Sequence, residues 1–130
     1  MFLITDLRMT RFHITLEQSV KLVIDAIKTA KGGEIFVPKL ASFYIKDLAK
    51  ALCNRTKIKE IGIRPGEKIH ETLISSGENI SYKKSNDYFI IKPKKNKNKS
   101  KKNVNFSSDE NDKFLNIDQL KKNISLYFSD

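Results

Sequence analysis

Three arginines are the side chains in this sequence best suited to binding an anion. Arg8 and Arg11 stand on either side of Met9 and Thr10, in a predicted loop before the first helix, and Arg64 opens the sequence Arg-Pro-Gly-Glu. A Pro-Gly pair is typical of a tight turn, and a guanidinium group donates parallel hydrogen bonds to a phosphate. All three could project from one edge of a small α/β unit and contact a phosphate, although ordinary surface arginines would show the same spacing.

Glu67 stands at the end of the same turn, and its carboxylate could accept hydrogen bonds from a pair of sugar hydroxyls. It also lies where we predict a short third helix to begin, and an acidic side chain there stabilises the helix dipole. The local sequence favours the dipole role. His70 and Glu71 are neighbours on that predicted helix and point about 100° apart, so we interpret His70 as structural and assign no acid–base pair.

Two signatures of dinucleotide-dependent enzymes do not hold in this sequence. Tyr88 and Lys92 have the Tyr-x-x-x-Lys spacing that places a phenol beside an ammonium group on a helix. The residues between them are aromatic and β-branched, so we predict a strand, on which the two side chains would lie about 13 Å apart. The five glycines form no Gly-x-Gly-x-x-Gly motif. We therefore predict no catalytic and no cofactor-binding residue in this chain.

Composition bounds the kind of protein. At 130 residues the chain is long enough for one domain with a core. Cys53 is the only cysteine, which excludes an intrachain disulfide and a Cys-rich metal site and fits a reducing cytoplasm. No apolar run is long enough for a signal peptide or a membrane span, so we expect a cytoplasmic protein without a membrane partner and without a metal.

The formal net charge of +10 is concentrated in one tract, because seven lysines lie between residues 92 and 102. This tract contains Lys, Asn and Ser with almost nothing to bury, which predicts a disordered linker over residues 92–105. It has no interleaved aromatic side chains, so nucleic-acid binding is disfavoured. We expect a folded lobe over residues 1–91 and, after the linker, a tail over residues 106–130.

Hydrophobic periodicity predicts a mixed α/β chain. Thr15 is a candidate helix N-cap, Gln18 completes a capping box, and apolar residues recur at helical spacing until Gly32 and Gly33. We expect strands at residues 1–5, 34–37, 57–63 and 88–91. Further helices are expected after Ile45, after the Arg-Pro-Gly-Glu turn and, as a short docking helix, in the tail.

Three stretches in fixed order give the sequence a family resemblance. They are "ITDLRMTRFHITLEQSV", "GGEIFVPKLASFYIKDLAKAL" and "IGIRPGEKIHETLIS". Together, from about Ile4 to Pro93, they resemble the C-terminal part of the inverting UDP-N-acetylglucosamine 4,6-dehydratases, a lyase family within the extended short-chain dehydrogenase/reductase (NAD-dependent epimerase/dehydratase) superfamily. The later stretch "FSSDENDKFLNIDQL" resembles the closing segment of the family.

The resemblance implies a fold class, a cofactor and a partner. The implied fold is the α/β C-terminal substrate-binding lobe of an extended short-chain dehydrogenase/reductase, with the N-terminal Rossmann half missing. The chain looks like a C-terminal fragment or half of a split gene, inactive alone, with a separately encoded Rossmann half as a candidate partner. NADP serves the full-length enzymes of the family, which oligomerise, and this part alone would bind none.

The resemblance also implies roles for individual residues in binding a UDP-sugar. The positions matching Arg11 and Arg64 face the diphosphate, Met9 matches a position that lines the nucleotide pocket, and Glu67 matches one that reaches the ribose hydroxyls. Arg8 is a second-rank candidate. In the implied reaction hydride leaves C4 of the sugar for NADP, water is eliminated across C5 and C6, and hydride returns to C6 with inversion at C5.

Two alternatives remain open. A related UDP-sugar 4-epimerase would share the same lobe, since the residues that decide the reaction lie in the other half of the enzyme. The second alternative is a free-standing basic module that binds nucleic acid through the lysine tract. The dehydratase interpretation places the chain in nucleotide-sugar synthesis for surface polysaccharide or for pseudaminic acid, which decorates flagellin.

Overall fold

The computed structural model describes residues 1–76, 82–93 and 104–128. These residues form a mixed α/β structure, as the sequence predicts. Most of the predicted linker over residues 92–105 lies outside the described residues. The elements follow one another in the order β1 (Phe2–Ile4), β2 (Thr10–His13), α1 (Leu16–Thr29), β3 (Ile35–Pro38), β4 (Ala41–Tyr44), α2 (Ile45–Leu52), β5 (Ile58–Glu60), β6 (Thr72–Ile74), β7 (Tyr82–Lys84), β8 (Tyr88–Ile91), β9 (Phe106–Ser107) and α3 (Ile117–Phe128).

The chain divides into two compact units, each built from separate stretches of sequence. The first unit comprises Met1–His13, Ala41–Glu71 and Ser107–Asp130, and the second comprises Ile14–Leu40 and Thr72–Phe106. All four residues expected to bind a UDP-sugar belong to the first unit. The domain boundaries expected at residues 91 and 105 stay a prediction.

Two small sheets form the framework of the first unit. Strands β1 and β5 pair in parallel, and strands β2 and β4 pair antiparallel with Arg11 opposite Phe43. Ser42 of β4 is fully buried, and its backbone also bonds the tail, since Ser42 N–H donates to the Lys113 carbonyl at 2.8 Å. The ring of Phe114 stacks on Tyr44 with centroids 5.2 Å apart. Strand β4 is therefore joined to the tail through both its backbone and an aromatic side chain.

Helix α3 in the tail packs against α2 within this unit. It begins at a reciprocal cap, because Asn116 and Gln119 each accept the backbone N–H of the other at 2.9 Å. Leu120 is only 1% exposed, so one face of α3 is firmly in the core. The amphipathic pattern of the tail predicts a helix here, and this is the helix that the structure contains.

Helix α1 of the second unit confirms the predicted capping box. The Thr15 hydroxyl accepts the Gln18 N–H at 3.1 Å, and the Gln18 side chain accepts the Thr15 N–H at 2.8 Å. The helix ends at Thr29, shortly before two glycines with positive φ, Gly32 and Gly33. Its apolar side chains are exposed rather than buried, including Leu16, Val20, Val23, Ile24 and Ile27.

The sheet of the second unit has the strand order β3-β8-β7, with antiparallel pairs. The prediction of a strand at Tyr88–Ile91 is confirmed, which removes the helical Tyr-x-x-x-Lys interpretation. Phe89 of β8 is buried, with its ring 5.3 Å from that of Phe106. The Tyr88 hydroxyl donates to the Asp25 carboxylate at 2.6 Å and so ties α1 to this sheet.

Two predictions about elements are wrong. The helix expected after the Arg-Pro-Gly-Glu turn is absent: residues 67–71 are irregular, and Thr72–Ile74 form β6, which pairs with β9. Arg11 does not lie in a loop but in strand β2. Both errors have one cause, since the backbone partners of these segments lie tens of residues away in the sequence and local propensity does not register them.

Candidate functional site

The sequence Arg64-Pro65-Gly66-Glu67 forms a closed turn. The Glu67 N–H donates to the Arg64 carbonyl at 3.0 Å, and the Arg64 N–H donates to the Glu67 carboxylate at 3.0 Å. Gly66 has φ of 82°, a left-handed conformation that glycine adopts without the penalty of a Cβ atom. Glu67 is therefore held in the turn by hydrogen bonds to the Arg64 backbone. The sequence predicts a helix start at this residue, and that prediction is wrong.

The Arg64 side chain is exposed at this turn. Within the described residues its guanidinium group has no hydrogen bond and no ion pair, so all five of its N–H donors remain for a ligand. Glu67 is half-buried, and only one of its two carboxylate oxygens accepts a hydrogen bond within the described residues. An exposed cation beside a half-buried carboxylate suits a ligand that carries both phosphate and hydroxyl groups.

Arg11 has the same side chain in different surroundings. Its side chain is 25% exposed, and it donates to the carbonyls of Thr10 at 2.7 Å, Ile69 at 3.0 Å and Lys68 at 2.9 Å. Its Nε lies 3.5 Å from the carboxylate of Glu71. The guanidinium group thus joins β2 to the segment that follows the turn.

Met9 lies next to this arginine in the core of the first unit. It is 3% exposed, its Sδ accepts a hydrogen bond from the Thr5 hydroxyl at 3.1 Å, and Arg11 Nη2 lies 4.0 Å from the same sulfur. The structure therefore brings Met9 and Arg11 together. Contact of Met9 with a nucleotide stays a prediction.

Arg8, the second-rank candidate, forms a forked ion pair with the buried carboxylate of Asp6. Its Nε lies 3.0 Å from Oδ1 and its Nη2 lies 2.6 Å from Oδ2, while its backbone N–H donates to Oδ1 at 2.8 Å. These contacts, the side-chain hydrogen bond first, lower the pKa of Asp6 from 3.8 to about 2. Arg8 thus serves the loop between β1 and β2 as a structural group.

A polar network joins strand β2 to the segment after the turn and to the tail. The amino-acid sequence alone does not reveal it. The Thr10 hydroxyl is 2.8 Å from His70 Nδ1 and 2.6 Å from the Ser108 hydroxyl, and both Thr10 and Ser108 have 0% exposure. His70 Nε2 lies 3.9 Å from Asp109, whose pKa is lowered chiefly by a hydrogen bond from Ser107. The only sequence signal is the Ser-Ser-Asp cluster, whose partner Thr10 lies 98 residues away from Ser108.

Two general kinds of site are absent from the part of the chain that the structure describes. No group of three or more His, Cys, Asp or Glu side chains there is arranged to hold a metal ion. None of the helices in residues 1–76, 82–93 and 104–128 is long and apolar enough to cross a membrane.

Comparison with known proteins places the chain in a family. The chain is 49% identical over 90 residues to the UDP-N-acetylglucosamine 4,6-dehydratase (inverting) of Campylobacter jejuni subsp. jejuni serotype O:2, a match that covers 69% of the chain and 27% of that relative. It is 41% identical over 92 residues to the UDP-glucose 4-epimerase of Rickettsia canadensis, covering 68% and 27% respectively. The matched segment is thus about a quarter of the length of these relatives.

A solved structure, described as the X-ray structure of Pen from Bacillus thuringiensis, superposes with a TM-score of 0.77 at 35% identity. That match covers 96% of this chain and 39% of the other. Residues 2–93, which contain the Arg64–Glu67 turn as well as Met9 and Arg11, match the family described as "Polysaccharide biosynthesis protein". The family resemblance inferred from the three sequence stretches is therefore confirmed, and the chain belongs to the polysaccharide biosynthesis protein family.

Proposed function

We propose that this chain is the UDP-sugar-binding lobe of an inverting UDP-N-acetylglucosamine 4,6-dehydratase. The observation that carries the proposal is the 49% identity to such an enzyme over 90 residues, in a family match whose residues 2–93 contain all four candidate site residues. The reaction belongs to nucleotide-sugar synthesis for surface polysaccharide or flagellin glycosylation by way of pseudaminic acid, in the cytoplasm. A dinucleotide-binding Rossmann half, in the same protein or encoded separately, completes the enzyme.

In this proposal Arg64 binds the diphosphate and Glu67 binds the ribose. The exposed Arg64 guanidinium has no partner among the described residues, and it is carried on a turn that Glu67 closes. A guanidinium group binds phosphate oxygens through parallel N–H donors, and the remaining carboxylate oxygen of Glu67 accepts hydroxyl donors. Met9 and Arg11 belong to the same proposed site. Arg11 contacts the Met9 sulfur and donates to the Lys68 carbonyl, in the segment that follows the turn.

The contribution of this lobe to the reaction is positioning. Binding energy from the nucleotide end of the substrate holds the hexose in one place relative to the reacting groups, and this removes much of the entropic barrier. The charges of the diphosphate are met by Arg64, so that the sugar at the far end is presented in one orientation.

NADP, which accepts and returns the hydride in the family reaction, does not fit the residues of this chain. Gly32 and Gly33, the only adjacent glycines of the chain, follow helix α1 instead of opening one, whereas a dinucleotide loop connects a strand to a helix N-terminus. Gly66 closes the substrate-binding turn. No step of the hydride chemistry is assigned to these residues.

A 4-epimerase acting on a UDP-sugar is the second candidate function. The 41% identity to a UDP-glucose 4-epimerase supports it, since the same lobe serves either reaction if both substrates carry UDP. The two are separated by supplying the chain with the Rossmann half of each enzyme and identifying the product by mass, because a dehydratase product is lighter by one water and an epimerase product is not.

Replacing the lysines of the tract distinguishes the proposed UDP-sugar-binding lobe from a basic module that binds nucleic acid. The full chain, with a Rossmann half supplied where the wild type needs one, is titrated with UDP after all seven lysines between residues 92 and 102 are replaced by serine. UDP affinity is expected to remain within about twofold of the wild type, since the proposal assigns no UDP contact to these lysines and salt screens charges that do not contact the ligand. Loss of UDP binding, together with salt-dependent nucleic-acid binding by the wild type, would instead favour the basic module.

A further inference from the structure

Helix α1 of the second unit carries a stripe of exposed apolar side chains. Val20, Val23, Ile24 and Ile27 recur at the spacing that places residues on one face of a helix. Their exposed fractions range from 43% at Ile24 to 77% at Ile27. A helix in a folded protein normally turns such a face toward a core. We call these four residues the α1 stripe.

A different face of α1 contacts the rest of the second unit. Ser19, Leu22 and Ala26 are half-buried, and the helix lies against strand β3. Asp25 accepts a hydrogen bond from Tyr88 of β8 at 2.6 Å. At about 100° per residue, the half-buried face lies between Asp25 on one side and the α1 stripe on the other. The stripe therefore points away from the side of the helix that is bonded to β8.

Strand β3 is at the edge of its sheet. The strand order is β3-β8-β7, so β8 occupies one edge of β3, and no strand within the described residues pairs with the other edge. Because Tyr88 holds the polar side of α1 toward β8, the α1 stripe lies on the side of the open edge of β3. An apolar helix face that extends past an unpaired strand suits a further strand beneath it.

The surface that fits both features is the edge of a β-sheet in an α/β protein. In such folds helices cover the faces of the sheet, and neighbouring strands bond through their edges. The matched segment is 27% of the length of the Campylobacter jejuni dehydratase, so most of such an enzyme lies outside the segment that this chain matches. A Rossmann half contains an open, mostly parallel sheet of this kind, with an edge strand at each side.

We propose that the α1 stripe and the open edge of β3 dock the Rossmann half, whose sheet β3 extends and α1 partly covers. This inference rests on the proposed function, because that function requires a Rossmann half. It assigns the contact with the dinucleotide-binding half to the second unit. The four candidate UDP-sugar residues, in contrast, all belong to the first unit.

Leu126 provides a matched control for Ile27. Both are exposed apolar residues, at 64% and 77%, and each lies two residues before the end of its helix. Leu126 belongs to α3 in the first unit, outside the proposed docking surface. Substitution by aspartate has the same effect on the helix dipole at either position and buries no charge within the chain. A difference in docking between the two variants therefore reports on position and not on stability.

The experiment measures how much of a Rossmann half the full chain retains on affinity purification. The Campylobacter jejuni dehydratase without the 90 residues that match this chain is co-expressed with the wild type, Val23→Asp, Ile27→Asp or Leu126→Asp. The wild type and Leu126→Asp should retain equal amounts. The two stripe variants should retain at least roughly tenfold less, because docking would bury a carboxylate against an apolar surface.

Hydrogen exchange gives a second measurement that needs no variant. Amides of residues 35–37 that face the open edge should exchange quickly in the chain alone and slowly in the complex, because a paired strand protects them. The docking surface is overturned if Ile27→Asp and Leu126→Asp retain equal amounts, if the wild type retains none, or if these amides gain no protection. Stripe variants that lose self-association but keep the Rossmann half would show that a second copy covers the stripe, which overturns it as well.

UDP binding separates a failure of this inference from a failure of the proposed function. If docking is not observed but Arg64→Ala still weakens UDP binding by the chain, the docking surface alone is wrong. If the stripe variants lose the Rossmann half as expected but Arg64→Ala binds UDP as the wild type does, the docking surface stands and the proposed diphosphate site is wrong.

Discussion

Arg11 and Arg64 differ in what surrounds the guanidinium group. Sequence alone identifies both as side chains suited to phosphate, and it cannot separate them, because two of the three carbonyls that accept hydrogen bonds from Arg11 lie 57 and 58 residues away. The Arg64 side chain is exposed at the turn, and its donors have no partner within the described residues. At the scale of single residues, the type of side chain is readable from the sequence but its partners are not.

Asp6 permits a prediction about acid stability. Its pKa is lowered to about 2, first by the side-chain hydrogen bond from Arg8, whereas an unfolded aspartate titrates near 3.9. A lowered pKa stabilises the folded state fully above the unfolded value, and this contribution is lost as the pH falls from about 4 toward 2. Arg8→Ala should therefore lower the melting temperature at pH 7, and the difference from the wild type should shrink below pH 4.

The control for this measurement is Lys59→Ala, which removes an exposed cation that has no partner within the described residues. Its effect on the melting temperature should be small at every pH. A difference between Arg8→Ala and the wild type that stays constant from pH 7 to pH 2 would show that the Asp6 carboxylate is not the group responsible.

Helices and strands whose sequence signals lie in neighbouring residues are predictable from the sequence. Thr15 and Gln18 cap α1 through each other, so four consecutive residues of sequence contain the whole signal. Strand β2 and strand β6 were missed because their signals are distant: β2 is a strand through its pairing with β4, and β6 through its pairing with β9. The helix predicted after the turn has the right apolar spacing, yet its backbone groups bind Arg11, Thr10 and Ser108 in preference to one another.

The turn itself carries a prediction about Gly66. Its φ is 82°, and a Cβ atom added there would meet nothing within 4 Å, so Gly66→Ala strains only the backbone. Gly62 has φ of 88° and the same open surroundings, which makes Gly62→Ala a matched control outside the turn. Each variant should lose about 1 kcal/mol of stability, which thermal unfolding measures.

Only Gly66→Ala should weaken UDP binding, since only this residue shapes the turn that carries Arg64. Equal UDP affinity in the two glycine variants would mean that the conformation of the turn does not matter to the ligand. The comparison separates backbone strain as such from strain at the proposed site.

For the whole molecule, family membership and mixed α/β class follow from sequence, whereas the division into units does not. The first unit is assembled from three separate stretches of chain, and the tail returns to it through Ser108 and α3. The chain matches about a quarter of the length of its curated relatives. The proposed role is accordingly that of one lobe, which binds and orients a nucleotide-sugar while a Rossmann half carries out the chemistry.

The central claim is that Arg64 binds the diphosphate of UDP, and calorimetric titration of Arg64→Lys and Arg64→Ala with UDP tests it most directly. Arg64→Lys retains the charge but loses the forked geometry and should weaken binding measurably, and Arg64→Ala should lose about 2 kcal/mol, as expected for a charge-assisted hydrogen bond. Arg55→Ala, at an exposed arginine with no described partner, should bind UDP as the wild type does. Wild-type affinity in Arg64→Ala would contradict the account and leave the Arg-Pro-Gly-Glu turn with a purely structural role.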